Sequence, residues 1–361
     1  MAERRPDPAS HPITRRSPGM TQVMEWLQHA IGWLRAHRRL VQGAVVALIL
    51  VFLALGVRSS WAKLSQYQWH VQWGLLVAAL AFFVAQELSY ALIWRGILRR
   101  LGSQLDIVSS ERIYLSAEFV RYIPGNVWHV LARVLGAEAR GVPKAIGLAS
   151  MVVELATKIT SAALVFALSL LFWPDVSGLT GVIPRDVIIG IGVVGIPLLL
   201  IGLHPRLLQA ALNRGLRLVR RDPVTLSLRY RDILLITGYW ALSWVVAGVG
   251  FYLLVRSLTD APLSVGAVAL AIGINAMGWD VGFLSFFTPS GLGFREAAIA
   301  GLLIAGGLVA GADASLGVAL VVAFMARLLT TAAELVCVTA AYLAPGSIRA
   351  QPPTAKPAPE S

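Results

Sequence analysis

The sequence predicts an all-α fold: a polytopic membrane helix bundle, an inverted repeat of three spans plus a broken re-entrant-type hairpin in each half. Three observations predict it. The 361 residues are 57% hydrophobic and 14% charged with a mean hydropathy of +0.71, which is too apolar for a soluble chain of this length. Its long apolar runs are separated by connections rich in arginine. Two of those runs are interrupted, at Tyr122-Ile123-Pro124-Gly125-Asn126 and at Thr288-Pro289-Ser290-Gly291-Leu292-Gly293, where Pro and Gly break helical hydrogen bonding that lipid cannot replace.

Charge and cysteine content narrow the function classes. The net charge of +12 lies mostly between apolar runs, so it serves orientation in the bilayer and contact with anionic lipid, and no nucleic-acid partner is expected. Cys337 is the only cysteine, which excludes an intramolecular disulfide and a Cys-rich zinc site. No HExxH, Walker motif or serine elbow is present, so the sequence points to neither an enzyme nor a bound cofactor or metal.

Residues 1–20 read as a disordered cytoplasmic tail and 21–40 as an interfacial amphipathic helix, with Val23, Trp26, Leu27, Ala30, Ile31 and Leu34 at helical spacing. Residues 41–343 form a single transmembrane domain with halves 41–173 and 185–343, and 344–361 form a second disordered tail. In the first half, Val41 to Val57 and Trp73 to Leu98 are spans. Trp61, Trp69 and Trp73 mark an outer belt, while Arg95, Arg99 and Arg100 mark the cytoplasmic side, so both termini are expected inside a cell membrane. Leu105 to Arg140 has basic flanks at both ends and carries Glu111, Arg112, Glu118, Arg121, His129, Arg133 and Glu138; a hairpin broken at Pro124-Gly125 fits it. Ala145 to Trp173 then crosses outward.

The second half repeats the order. Arg185 to His204 is a span, the arginine-rich stretch Pro205 to Arg231 is cytoplasmic, and Asp232 to Val255 returns to an external turn at Arg256 to Pro262. Leu263 to Gly311 is either two full spans or a hairpin entering from outside, and Ser315 to Leu343 comes back in. Gly190 to Gly195 spells GxGxxG, but no strand precedes it, and close helix packing explains it better, as it does GxxxG at Gly307 to Gly311. Three spans is an odd number, so the second half inserts upside down relative to the first. Paired Gly/Pro-interrupted segments in opposed halves point to the substrate site of an inverted-repeat transporter.

With its YIPG-like motif at Tyr122 to Gly125 and its Pro-Gly-rich motif running from Pro289 to Glu296, the chain resembles the lysylphosphatidylglycerol synthase transmembrane-region, or flippase-like, family. The resemblance runs from about Val41 to Leu343. Ser290 departs from it, standing where relatives commonly have glycine. Bifunctional relatives append a soluble aminoacyl-transferase domain, whereas the longest hydrophilic internal segment here is Pro205 to Arg231. The resemblance therefore implies movement of a polar-headed lipid or lipid-linked glycan carrier between leaflets, without the synthase activity. The competing class is a scaffold or accessory subunit for a glycosyltransferase or lipid-modifying enzyme, with the Arg206 to Arg231 segment as the contact.

A phosphate crossing hydrocarbon needs compensation. Half-helices starting at Asn126 and Leu292 would offer backbone N–H groups and positive dipole ends. Tyr122, Pro124 and Pro289 frame the two breaks, and Gly125, Gly291 and Gly293 let a head group approach the backbone. Arg121 and Arg295 are the expected phosphate partners, with Asn126 and Ser290 adding neutral hydrogen bonds. Glu296 and Glu118 either join that site or favour their own helix dipoles and pair with arginines. Glu87, Glu154, Lys158, Asp280, Arg327 and Glu334 lie inside apolar runs and are expected to line a cavity or pair across helices. Glu154 and Lys158 have i,i+4 spacing for a pair of their own, and Arg327 and Glu334 share a face that would meet the first half.

Overall fold

The computed structural model describes residues 71–120, 128–173, 185–218, 223, 225–285, 288, 291–309 and 316–343. The segments read as the first span and the interfacial helix, both tails, the break from Arg121 to Asn126, and Pro289 and Ser290 lie outside the described residues. Among the described residues there are helices and no strands.

Five helices are long and apolar enough to cross a bilayer: α1 (Trp73–Arg100), α4 (Lys144–Ser169, continued by a 3-10 turn at Leu170–Phe172), α7 (Tyr230–Leu258), α8 (Val265–Leu284) and α10 (Leu316–Leu343). At 1.5 Å per residue, a helix of 28 residues such as α1 extends roughly 42 Å and reaches past both sides of a ~30 Å hydrocarbon core. A sixth apolar stretch is a bent pair, in which Val194–Gly202, the second half of α5 (Arg185–Gly202), bends by 61° into the first ten residues of α6 (Pro205–Leu218), as a broken span or a re-entrant loop does.

Charge distinguishes the two ends of the bundle. Arg99 and Arg100 close α1, Arg140 and Lys144 precede or open α4, and Arg206, Arg214, Arg217, Arg229 and Arg231 follow α5 or open α7. Among the described residues the opposite end carries Arg256 and Asp260, whose charges cancel. The Gln72 N–H donates to the Ser257 carbonyl at 3.0 Å, which fixes the start of α1 beside the end of α7.

Two pairs of short helices fill the space between the spans. The first is α2 (Ile107–Val120) with α3 (Trp128–Glu138), of 14 and 11 residues. Their outer ends meet at the basic end, where Arg140 hydrogen-bonds Ser109. The second pair is α8 with α9 (Phe294–Ala305), which is only 12 residues long and too short to span. Its far end, Gly306, packs against Leu270 near the start of α8 and against Trp173, so both ends of this hairpin lie at the end opposite the basic one. α8 is long enough to cross and α9 is not, and both ends of the pair lie on the same side.

Small residues set the helix spacing, since lipid offers no hydrophobic drive for helices to associate. A Cβ at Gly248 of α7 would lie 2.3 Å from the Ile272 Cα of α8, one at Gly273 of α8 2.5 Å from the Ser169 Cβ of α4, and one at Gly278 of α8 2.4 Å from Ile299 of α9. By contrast, Gly190 and Gly192 face open space, so close packing does not explain those glycines of the GxGxxG run. Nor does it explain Gly307, which stops α9 with φ 66°: its N–H donates to the Ile304 carbonyl and that of Leu308 to the Leu303 carbonyl, the hydrogen bonding of a left-handed C-terminal cap.

The buried apolar residues form two main clusters. One, at the basic end, includes Trp94, Ile97, Leu98, Tyr114, Leu203, Leu208, Leu212 and Ile233. The other, at the opposite end, includes Phe83, Trp173, Phe251, Leu270, Leu303 and Val322. Between them lies a polar layer.

Replacing Gly248 with Ala forces α7 and α8 apart and is expected to destabilise the protein by about 1–3 kcal/mol, read as a lower melting temperature in detergent. A separate expectation concerns Asp106, which caps α2 by accepting from the Ser109 N–H at 2.8 Å. Partial desolvation works against its charge, yet the hydrogen bonds from Ser109 hold its carboxyl below the usual carboxylate range. A lowered folded-state value means stability present above the unfolded value and lost as pH falls through the folded one. Asp106→Ala therefore costs about 1 kcal/mol at neutral pH, and the difference from wild type shrinks in melts run below about pH 4.

Candidate functional site

The polar layer is built where α4 passes the centre of the bundle. Lys158 lies midway along this helix and is only 5% exposed. Its ammonium stands 3.6 Å from the ring centre of Tyr90 on α1, 4.7 Å from Trp240 on α7 and 4.6 Å from Trp279 on α8, with Trp244 at 6.0 Å. Aromatic faces are electron-rich, and around a desolvated cation each such contact is worth up to about 2 kcal/mol. The rings are themselves held: Trp244 Nε1 donates to Ser161 Oγ at 3.0 Å, and Trp279 stacks on Phe283 with centroids 5.1 Å apart.

Asp280 follows Trp279 and is 4% exposed. Its Oδ1 has no hydrogen-bond partner among the described residues, and its carboxylate is electrostatically coupled to Lys158. A cation in an aromatic cage beside a buried acid therefore spans four helices of the bundle.

One turn toward the basic end lies a second buried assembly. Glu154 accepts from Arg133 Nη1 at 2.8 Å and Nη2 at 2.9 Å, and from the Tyr114 hydroxyl at 2.8 Å. Arg133 also lies 4.0 Å from the Tyr114 ring centre and 5.4 Å from that of Trp94, whose Nε1 donates to Ser150 Oγ at 3.0 Å. This fork joins α4 to both short helices of the first hairpin, with Glu118 of α2 coupled electrostatically to Glu154 and Arg133. The charge of Lys158, four residues on, also acts on Glu154, whose hydrogen bonds go to Arg133 and Tyr114 while the Lys158 ammonium lies among the rings.

The second break is reached through α8. Gly291, with φ 67°, lies against the backbone of Gly282, where a Cβ would come within 2.3 Å of the carbonyl oxygen. Gly293, with φ 86°, begins α9, and its N–H donates to Glu296 Oε2 at 2.6 Å. The other oxygen of Glu296, a fully buried residue, accepts from Arg327 Nη1 of α10 at 2.7 Å. So Glu296 caps its own helix and neutralises a partly buried arginine. Arg327 thus meets a second-half carboxylate. The Arg295 stem packs where Gly282 has no side chain, a position one residue from the cap.

The remaining intramembrane acids gather elsewhere. Glu87 of α1, Glu111 of α2 and Glu334 of α10 are each at least nine-tenths buried and all act electrostatically on the Cys337 thiol, whose Sγ lies 3.7 Å from the Val84 carbonyl. Glu334 thus faces first-half helices, as its position on α10 suggested. Among the described residues no group of three His, Cys, Asp or Glu side chains has the geometry to hold a metal ion.

The structure brings together Glu154, Lys158 and Asp280, and separately Gly293, Glu296 and Arg327. Sequence reasoning assigned no role to Arg133, Tyr114, Tyr90, Trp240 or Trp279. One signal was available: Trp240 and Trp244 stand four apart in mid-span, far from the interfacial depth where tryptophan usually collects.

Removing one partner of a buried ion pair strands the other charge. Glu154→Leu or Arg133→Met alone should each cost about 3–5 kcal/mol, while the double variant recovers much of the loss; thermal melts in detergent decide this, and additive losses would contradict it.

The family model for the lysylphosphatidylglycerol synthase transmembrane region matches residues 39–337. No curated protein and no solved structure matches the chain. The chain belongs to this family and is a multi-pass membrane protein.

Proposed function

From that membership, we propose that the protein moves a polar-headed, phosphate-containing lipid or lipid-linked glycan carrier between leaflets. The observation that carries this reading is the opposed placement of two short hairpins, one open at the basic end and one at the other, around a buried layer of charge. Neither hairpin needs to hold a complete span, so each offers a route along its own helices to mid-depth from one side. Two such half-routes from opposite sides are what alternating access requires.

The charge distribution and the positive-inside rule support a cytoplasmic basic end, with the end of α10 inside, and a cell-surface membrane belongs to the same proposal. A head group arriving from that side meets the helices of the first hairpin and then the layer containing Lys158. From the other side it meets the second break, with Arg295 beside the α9 start. Lys158 and Arg295 supply positive charge for a phosphate, and Asp280 and Glu296 keep that charge balanced when no lipid is present. In this reading the aromatic faces around Lys158 hold its ammonium at mid-depth, where it can meet a phosphate.

Purified protein reconstituted in vesicles with a fluorescent phospholipid tests the proposal by bleaching of the outer leaflet. Arg295→Gln and Lys158→Met are each expected to lower translocation by about tenfold, the loss of one charge-assisted contact, with insertion and melting cooperativity retained. Wild-type rates in these variants and in Arg121→Gln would overturn the transport reading. Absence of activity from the wild-type protein until a glycosyltransferase or lipid-modifying enzyme is added would favour the accessory-subunit reading.

A further inference from the structure

We infer that the outer face of α6 is a binding site for the phosphate-bearing head groups of anionic lipids in the leaflet at the basic end, independent of any transport route. The sequence of α6 divides cleanly by face. Leu208, Leu212 and Leu216, four apart, are buried in the apolar cluster with α1, α4 and α7. Opposite them, Arg206, Gln209, Asn213, Arg214 and Arg217 line an open groove of about 560 Å³. Because its inner face is locked into the core, the helix cannot rotate the arginines away.

Position selects the ligand. Leading into α6, the end of α5 exposes Val194, Leu198 and Ile201, so its flank is a lipid-facing surface. The chain then turns by 61° into α6, so the basic groove of α6 lies directly beside this apolar flank. Leu207, half exposed, lies between the buried and basic faces and continues the apolar flank of α5. An acidic protein or a nucleic acid would need the arginines but would gain nothing from Leu207 and the lipid-facing end of α5. An anionic lipid uses both, with its phosphate in the groove and its chains along α5.

Charge balance agrees. No salt bridge is formed by Arg206, Arg214 or Arg217 among the described residues. The nearby acid Asp232 is engaged by the Arg229 N–H at 3.2 Å and by Arg100 at 3.7 Å. Exposed Arg229 and Arg231, on the segment that packs along α6 through Leu226 and Leu228, extend the basic surface. From Arg206 to Arg217 the groove runs roughly 16 Å along the helix.

The test uses the full chain in phosphatidylcholine vesicles with trace spin-labelled phosphatidylglycerol or phosphatidylcholine, measuring the motionally restricted fraction of each. Wild-type protein should prefer phosphatidylglycerol, and Arg206→Gln/Arg214→Gln/Arg217→Gln should weaken that preference by about fivefold per arginine at low salt. The corresponding triple lysine variant should retain it, which separates lost charge from lost folding. Raising the salt to 1 M should erase most of the preference. Equal restriction of the two lipids by wild type, or an unchanged preference in the triple glutamine variant, overturns the proposal. Displacement of phosphatidylglycerol by millimolar inorganic phosphate, beyond the effect of equal ionic strength, would show a site for free phosphate and likewise overturn it. Because no translocation is measured, the result stands or falls apart from the transport reading.

Discussion

A charge placed in the middle of a bilayer must be answered by another group within reach, and this requirement organises the bundle. Lys158, Glu154, Arg133, Asp280, Glu296 and Arg327 lie inside the bundle, and the partners named for them come from eight of its helices. The answer is not the same in each case. Glu154 and Arg133 form a closed fork with a tyrosine added, Glu296 divides its oxygens between a backbone and an arginine, and Lys158 is held by aromatic faces. The first two arrangements fix geometry tightly. The third supplies attraction without a fixed direction, because a ring face accepts a cation over a broad area.

The apolar clusters take their places from this layer. Large aromatic residues would ordinarily be spread toward the interfaces, yet Trp240, Trp244 and Trp279 are drawn to mid-depth, where each contributes both packing and a partner for charge or hydroxyl. Glycines at the helix crossings then let α4, α7, α8 and α9 approach closely enough to enclose the layer. Polar side chains and small residues are thus two parts of one solution, since a cage built from wider-spaced helices would admit lipid.

Much of this was legible in the sequence, and the reasons for success and failure are physical. Helix positions followed from apolar run length and the placement of arginine, which is why α1, α4, α7 and α10 match the expected spans within a few residues. The hairpin from Leu105 to Arg140 was readable because both its flanks are basic. The Leu263 to Gly311 stretch was ambiguous, for an apolar run of that length fits either two spans or a return; only the short length of α9 bears on that choice. Pairings across helices were the least legible. Glu154 and Lys158 sit at ideal spacing for each other, but a fork from Arg133 offers two hydrogen bonds where Lys158 offers a point charge, and the fork prevails. The amphipathic α6 was hidden inside a stretch read only as hydrophilic, because its leucines are outnumbered though regularly spaced.

The shared carboxylate of Glu296 has a mechanical consequence. One oxygen sets the first turn of α9 and the other sets the distance to α10, so a single rigid plane of atoms connects the start of one helix to the flank of another. Neither helix can be repositioned at that depth without tilting the plane for its neighbour. The break therefore acts as a common reference mark, from which the orientation of two otherwise separate rods is measured.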